Sequence, residues 1–283
     1  MSDTIQVVCE NLGRSIEVEG GSTLALVADR LPAPQHPYLA ALVDNRIREL
    51  DFRLYRPATV RFIDITSFAG IRVLQRTASF ILQKACRDLW PERRLRIRHS
   101  MGQNGFYCEV EGLEATVLRY SLDQPEAAGA IERRMRELAA ADLPIRHTRE
   151  LTQQVRARFA AEGFDDKVAL LDTRPRLYSD LCTLDGLPGS FYGVLAPSTR
   201  CLDRFALTPY YCGFLLSLPL RTAPERLHGN VRQEKMFDIF REYQSWVEIM
   251  GVPTVGAVNA RVLAGDGGSL VKLAEAFHER KFA

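Results

Sequence analysis

The sequence predicts an α+β protein, and three stretches carry that expectation. Residues 1–66 hold short alternations of apolar and polar residues broken by turn formers, the pattern of strands. From Ile71 to Leu89 the apolar residues recur at helical spacing, and the alternating RRLRIRHS follows shortly after. Towards the C-terminus, RQEKMFDIFREYQSWVEIMG returns to helical spacing.

In order along the chain, Thr4 to Cys9 and Arg14 to Val18 read as strands joined by a turn at residues 11–13. Gly20-Gly21-Ser22 offers an N-cap for a short helix, Thr23 to Leu31, which Pro32, Pro34 and Pro37 stop. LAALVDNRIREL and ATVRFIDI supply further strands around an Asp44-Asn45 turn. Strands, a helix and more strands in so short a span point to a small β-grasp unit over residues 1–66. The helix that follows carries Leu74, Ala78, Ile81, Leu82, Ala85 and Leu89 on one stripe and ends before Pro91. In RRLRIRHS, Leu95 and Ile97 alternate with Arg94, Arg96 and Arg98, so the two apolar residues are expected inward. NGFYCEVEG gives another strand, entered through Asn104-Gly105. Ile131 to Ala140 and Leu151 to Ala161 read as helices, Lys167 to Leu171 as a strand, and the Gly-, Pro- and aromatic-rich residues 190–218 as strands and tight loops. Met236, Phe240, Tyr243, Val247 and Met250 form a helical stripe that Gly251 ends, and Ser269 caps a last helix with Leu270, Leu273, Ala274 and Phe277.

At 283 residues the chain exceeds one small core and suits two or three units. Its hydrophobic content of 46% and charged content of 25% are those of an ordinary soluble protein. A net charge of +2 gives no general attraction for polyanions, so a nucleic-acid role would need a local patch. The N-terminal residues lack a signal-peptide core, and no apolar run approaches the roughly 20 residues of a membrane helix. The six cysteines are scattered without a CxxC pair, as buried free thiols in a reducing compartment would be. The expectation is a cytoplasmic protein with no membrane partner.

The order of five segments carries a family resemblance: VLQRTASFILQKACRDLWPE, NGFYCEVEG, IERRMRELAAADLPI, DKVALL and APSTRCLDRFAL. Residues 67–222 resemble the second additional domain that edits mischarged tRNA in threonyl- and alanyl-tRNA synthetases, and residues 1–66 resemble the TGS domain that precedes it. The resemblance implies an α+β editing-like domain after the β-grasp unit, with residues 223–283 as a C-terminal helical connector. In that editing family zinc is held by HxxxH on the helix and by a Cys and a His four apart just before a PST motif. Those positions fall here on Arg76, Phe80, Phe191 and Leu195, and none of these side chains is a zinc donor. A second resemblance is to bacterial nucleoside (uridine) kinase-like proteins, whose N-terminal TGS and editing-like modules have shed the zinc ligands. Phe191-Tyr192-Gly193 and Pro197-Ser198-Thr199 carry it, with Arg200 where that family has glycine. It implies that ATP and Mg belong to a kinase domain beyond this region, which would be its main partner. No GxxxxGK[ST] occurs here, and AGDGGSLVK has the wrong spacing for a phosphate loop.

Two readings of the site stand side by side. In one, Arg76 binds a phosphate or carboxylate while Phe80 or Phe191 stacks a base, and Tyr192, Gly193, Ser198, Thr199 and Arg200 line a cleft for a nucleoside, nucleotide or RNA. In the other, Phe80, Phe191 and Leu195 fill a vacated cavity as core, Arg76 pairs with a local carboxylate, and residues 192–200 are a turn-rich connection. Arg93, Arg94, Arg96, Arg98 and His99 meet RNA phosphates or form a solvated strand face. The five histidines have no ligand-spaced neighbours. The region reads as non-catalytic recognition or regulation for a nucleoside kinase; a metal-free aminoacyl-tRNA deacylase and an RNA-binding module are the alternatives.

Overall fold

A computed structural model describes residues 4–101, 105–112, 124–227 and 232–282, and its mixture of helices and antiparallel-rich sheets is α+β. The chain divides into two compact units that do not follow chain order: Met1–Arg146 with Thr183–Asn230, and His147–Cys182 with Val231–Ala283.

The first unit opens with a five-stranded sheet in the order Arg14–Glu19, Thr4–Cys9, Ala58–Ile63, Ala40–Val43, Arg46–Arg48. Only the central pair, Val7 opposite Ala58, is parallel; the other neighbours are antiparallel. Period-two patterning sets the register: Ile5, Val7 and Cys9 point into a core with Val18, Val43, Val60 and Phe62. Asp44 and Asn45 both take the left-handed conformation of a two-residue hairpin turn. Helix α1, Leu24–Asp29, crosses this core with Leu24 and Val27 buried. Its cap is Thr23, whose Oγ1 accepts from Leu26 N, rather than Ser22. Ser22 and Thr23 both pair in a two-residue bridge, with Leu54 and Arg53, and the helix starts directly after it.

A tight junction leads into α2, Phe68–Leu89. Ser67 Oγ donates to the Asp64 carbonyl (3.0 Å) and accepts from Gly70 N (2.9 Å). The helix lies so close to Asp64 that a Cβ on Gly70 would sit 1.7 Å from that carbonyl oxygen. Leu74, Ala78, Ile81, Leu82 and Ala85 of the expected stripe are buried, as their spacing requires, and Leu89 at the helix end is half-buried.

Beyond α2 a four-stranded antiparallel sheet runs in the order Ala206–Tyr210, Gly213–Ser217, Gly105–Val110, Leu95–Met101. Asn104 lies outside the described residues. The alternation expected of Leu95 and Ile97 fails after its first step. A bulge between Ile97 and His99 places Arg98 opposite no residue of its own, so Ile97 turns outward while Arg98 and His99 are half-buried. His99 then stacks on Tyr107. Helix α3, Gln124–Ala140, buries Ile131, Met135 and Leu138. It is pinned to α2 by charge: Asp88 accepts from Arg134 (2.8 Å) and Lys84 (2.8 Å), and Lys84 also reaches Asp185 (3.0 Å) in the turn before Leu187–Gly189.

In the second unit, α4 (Thr152–Ala161) and α5 (Asp165–Asp172) enclose a small core of Val155, Phe159, Leu171 and Leu181. Residues 167–171 are therefore helical and not the expected strand. An apolar run of this length fits either state. Here Lys167 N and Val168 N bond to the Phe164 carbonyl, and Asp165 and Asp166 suit a helix N-terminus. Helix α6, Glu234–Ile249, buries Phe237, with Phe240, Val247 and Met250 half-buried. Met236 and Tyr243 of the expected stripe are exposed, so the inward face is rotated from the one the spacing indicated. Helix α7, Val255–Leu263, has no counterpart in the sequence reading; Gly256 lets it meet α5, where a Cβ would lie 2.7 Å from Leu170 N. In α8, Gly267–Phe282, Ser269 lies within the first turn and hydrogen-bonds the Asp266 carboxylate, so the cap precedes it. Phe277 of α8 stacks on Trp246 of α6. Among the described residues no helix is long and apolar enough to cross a membrane.

Candidate functional site

The site expected from sequence is built by two elements of the first unit: α2, and the loop from Gly189 to Cys201. Arg76, Thr77 and Phe80 of α2 meet this loop, Arg76 and Phe80 from one face because helical spacing returns a side chain there every third or fourth residue.

Phe80 is fully buried, and its ring lies 5.0 Å from that of Phe191, tilted by 56°. The two rings close over Gly189: a Cβ there would come within 2.8 Å of both. Leu195 is buried as well. Phe80 and Leu195 are therefore interior, and the half-buried Phe191 packs on Phe80. The four positions that the editing resemblance assigns to zinc hold one guanidinium, two phenyl rings and an isobutyl group. No lone pair of the kind zinc needs is present, and carbon fills the space, so these residues do not fit the metal. Among the described residues no three His, Cys, Asp or Glu side chains gather elsewhere to hold one.

Arg76 behaves differently. Its Nε donates to the Val194 carbonyl (3.0 Å). Its guanidinium lies against Gly193, whose φ of +116° and missing Cβ allow the approach: a Cβ would sit 3.0 Å from Arg76 Cζ. Among the described residues no carboxylate pairs with Arg76, so the local ion pair considered from sequence is not formed. Burial, and then the like charge of Arg72, push this guanidinium below its ordinary value.

Thr77, which sequence reasoning passed over, fastens loop to helix. Its buried hydroxyl donates to the Val73 carbonyl (2.8 Å) and accepts from Ala196 N (2.9 Å). Leu195 N donates to Glu49 of the β-grasp sheet region (3.4 Å). Ser198, Thr199 and Arg200 form a separate cluster at the end of α3. Ser198 Oγ donates to Asp142, Thr199 Oγ1 donates to the Leu138 carbonyl (2.6 Å) and accepts from Leu143 N (2.8 Å), and Arg200 reaches Asp142 at 3.8 Å. Thr199 is a buried structural hydroxyl, and Arg200 is exposed and directed to a carboxylate. Tyr192 is exposed, at 77%, beside Gly193. Of the expected set, Arg76, Phe80 and Phe191 gather with Gly193 and Leu195, while Ser198, Thr199 and Arg200 are drawn to Asp142 instead. Arg72, absent from that set, belongs with Arg76; its offset of four residues on the same helix is the signal that marks it.

The basic strand carries its own counter-charges. Arg96 pairs with Glu111 (2.6 Å) and Arg98 with Glu109 (2.7 Å) across the sheet. Burial pushes the Cys86 and Cys201 thiols up to about 12, which leaves neither as a ready thiolate nucleophile.

No family model matches the chain. Over 217 residues, 73% of its length, it is 26% identical to threonine–tRNA ligase 1 of Bacillus subtilis (strain 168). The chain carries a threonyl-tRNA synthetase-like region. It spans 31% of that relative's length, so the similarity concerns a part of the ligase and leaves most of it without a counterpart here.

Proposed function

We propose that this chain is a non-catalytic recognition and regulatory region, related to the editing-like part of threonyl-tRNA synthetases, that serves an ATP-dependent nucleoside (uridine) kinase. One observation carries the non-catalytic half: the donor set is replaced by Phe80 and Phe191, which close over Gly189, and by the buried Leu195. A metal-activated water has no donor set to hold it, and the thiols nearest this region, Cys86 and Cys201, are held protonated by burial. The kinase half is supported by the FYG and PST wording at residues 191–193 and 197–199, with TGS-like residues ahead of it. Under this reading ATP and Mg act in the kinase domain, and this region supplies recognition of a nucleoside, nucleotide or RNA, or control of the kinase.

Two measurements test it. Incubation with mischarged threonyl- and alanyl-tRNA is expected to give no ester hydrolysis above background; hydrolysis would establish the deacylase alternative. The product of the whole reading frame is expected to phosphorylate uridine or cytidine with ATP. Deletion of residues 1–220 is expected to change its kinetics, and identical kinetics would remove the regulatory role.

A further inference from the structure

Arg72 and Arg76 stand one turn apart on α2, close enough that the first shifts the second. Neither forms an ion pair with any described residue. Arg76 is anchored at one edge only: Nε is taken by the Val194 carbonyl, Gly193 backs the guanidinium, and its two terminal nitrogens make no hydrogen bond to a described residue. Arg72 and Gly193 are exposed and Arg76 is half-buried, so this side of the pair opens to solvent. A guanidinium does not relieve such crowding by losing its proton at neutral pH. A half-buried cation beside a like charge and without a counter-charge is a cost that an anion removes. Elsewhere in this unit Arg96, Arg98 and Arg134 are paired with carboxylates.

We propose that Arg72 and Arg76 bind the phosphate monoester of a small molecule, with the Gly189–Val194 loop holding the Arg76 fork in place. Resting on the recognition reading above, the proposal names the chemical class that the site takes. Two cations match a dianion, whereas a carboxylate or an internal phosphodiester neutralises one of them. A fixed guanidinium edge presents two parallel N–H groups to two oxygens of the same phosphate. An RNA backbone is disfavoured because it needs a run of positive contacts, and on the basic strand Arg96 and Arg98 are already taken by Glu111 and Glu109. Tyr192 is an exposed aromatic residue on the same loop, so a nucleoside monophosphate is the natural first probe.

The test is calorimetric titration of the full chain with inorganic phosphate and with nucleoside 5′-monophosphates, against acetate, unphosphorylated nucleosides and a single-stranded RNA. Binding of the phosphate monoesters, and of neither acetate nor nucleoside, is expected. Arg76→Ala is expected to weaken it at least about tenfold, Arg76→Lys to weaken it by losing the fork, and Arg72→Ala to weaken it with an unchanged melting temperature. Arg72→Ala keeps the test open should Arg76→Ala fail to fold, because Arg72 is exposed and has no partner to lose among the described residues. No binding of any phosphate by the wild-type chain, or binding unchanged in the Arg72 and Arg76 variants, would overturn the proposal. Arginine-dependent binding of RNA with none of the monoesters would overturn it too. These outcomes are independent of deacylation and kinase assays, so failure here and failure of the functional reading are told apart.

Discussion

Alanine at Gly70 should destabilise the protein although it sits inside a helix, where alanine is the better residue. The added Cβ would lie 1.7 Å from the Asp64 carbonyl oxygen and 2.6 Å from its carbon. Relief to 3.0 Å requires helix or junction to move by about 1.3 Å, the difference of those two distances. That movement pulls apart the Ser67 cap, whose Oγ holds both Gly70 N and the Asp64 carbonyl. Loss of a cap costs about 1 kcal/mol and overpacking about 1–3 kcal/mol, against roughly 1 kcal/mol gained in helix propensity. The net expectation is a loss of ~1–3 kcal/mol. Gly129 of α3 is the control, since nothing lies within 4 Å of its Cβ position. There the propensity term acts alone, and alanine should stabilise by ~0.5–1 kcal/mol. For a unit of this size ~1 kcal/mol shifts Tm by about 2–4 °C, so differential scanning calorimetry should show Gly70→Ala falling and Gly129→Ala rising. If both variants moved Tm the same way, the close approach of α2 to Asp64 would not be what fixes this junction.

Thr77→Val keeps the shape but leaves Ala196 N without its acceptor in a buried place, so urea denaturation should show a loss of about 1–3 kcal/mol; an unchanged midpoint would mean that the loop has another anchor. Burial raises the Asp88 carboxyl, but its hydrogen bonds from Lys84 and Arg134 outweigh that and hold it below the usual value. Its stabilising contribution is therefore complete above the unfolded value of about 4 and is lost as pH falls through the lower folded value; Asp88→Asn should flatten the acid limb of Tm against pH, and an unaltered limb would contradict this. Burial lowers the Lys167 amine to about 8 although it faces the rings of Phe159 and Phe164. The unfolded chain then holds the extra proton between about 8 and 10.4, so stability should rise with pH across that window and Lys167→Met should abolish the rise; an NMR midpoint near the ordinary lysine value would show that the rings outweigh burial.

Most helices and strands were legible because their local signals agree with their burial. The α2 stripe from Leu74 to Ala85, the Asp44-Asn45 hairpin and the Ile131–Met135–Leu138 face are each stated by residue type and spacing alone, and each is buried or turned as stated. The misses occurred where two local answers were equally good. Residues 167–171 could be strand or helix, and packing against Gly256 of α7 favoured the helix. Arg94 to Arg98 alternates cleanly in sequence, yet one bulged residue reverses which side chain faces in. Ser22 is as good a cap as Thr23 by residue type, and the helix starts one residue later than expected, directly after a bridge that both residues share.

The same division runs through the candidate site. Sequence alone determined the chemistry on offer: the positions that would ligate zinc hold Arg76, Phe80, Phe191 and Leu195, and no fold can turn those side chains into donors. Only the tertiary structure decided how they are spent. It drew Ser198, Thr199 and Arg200 to the end of α3, pressed Phe80 and Phe191 together over Gly189, and left Arg76 with Arg72 and, among the described residues, no carboxylate. Residue identity fixes what a group can bond to, but charge pairing depends on distances between segments more than a hundred residues apart, and those are set by packing.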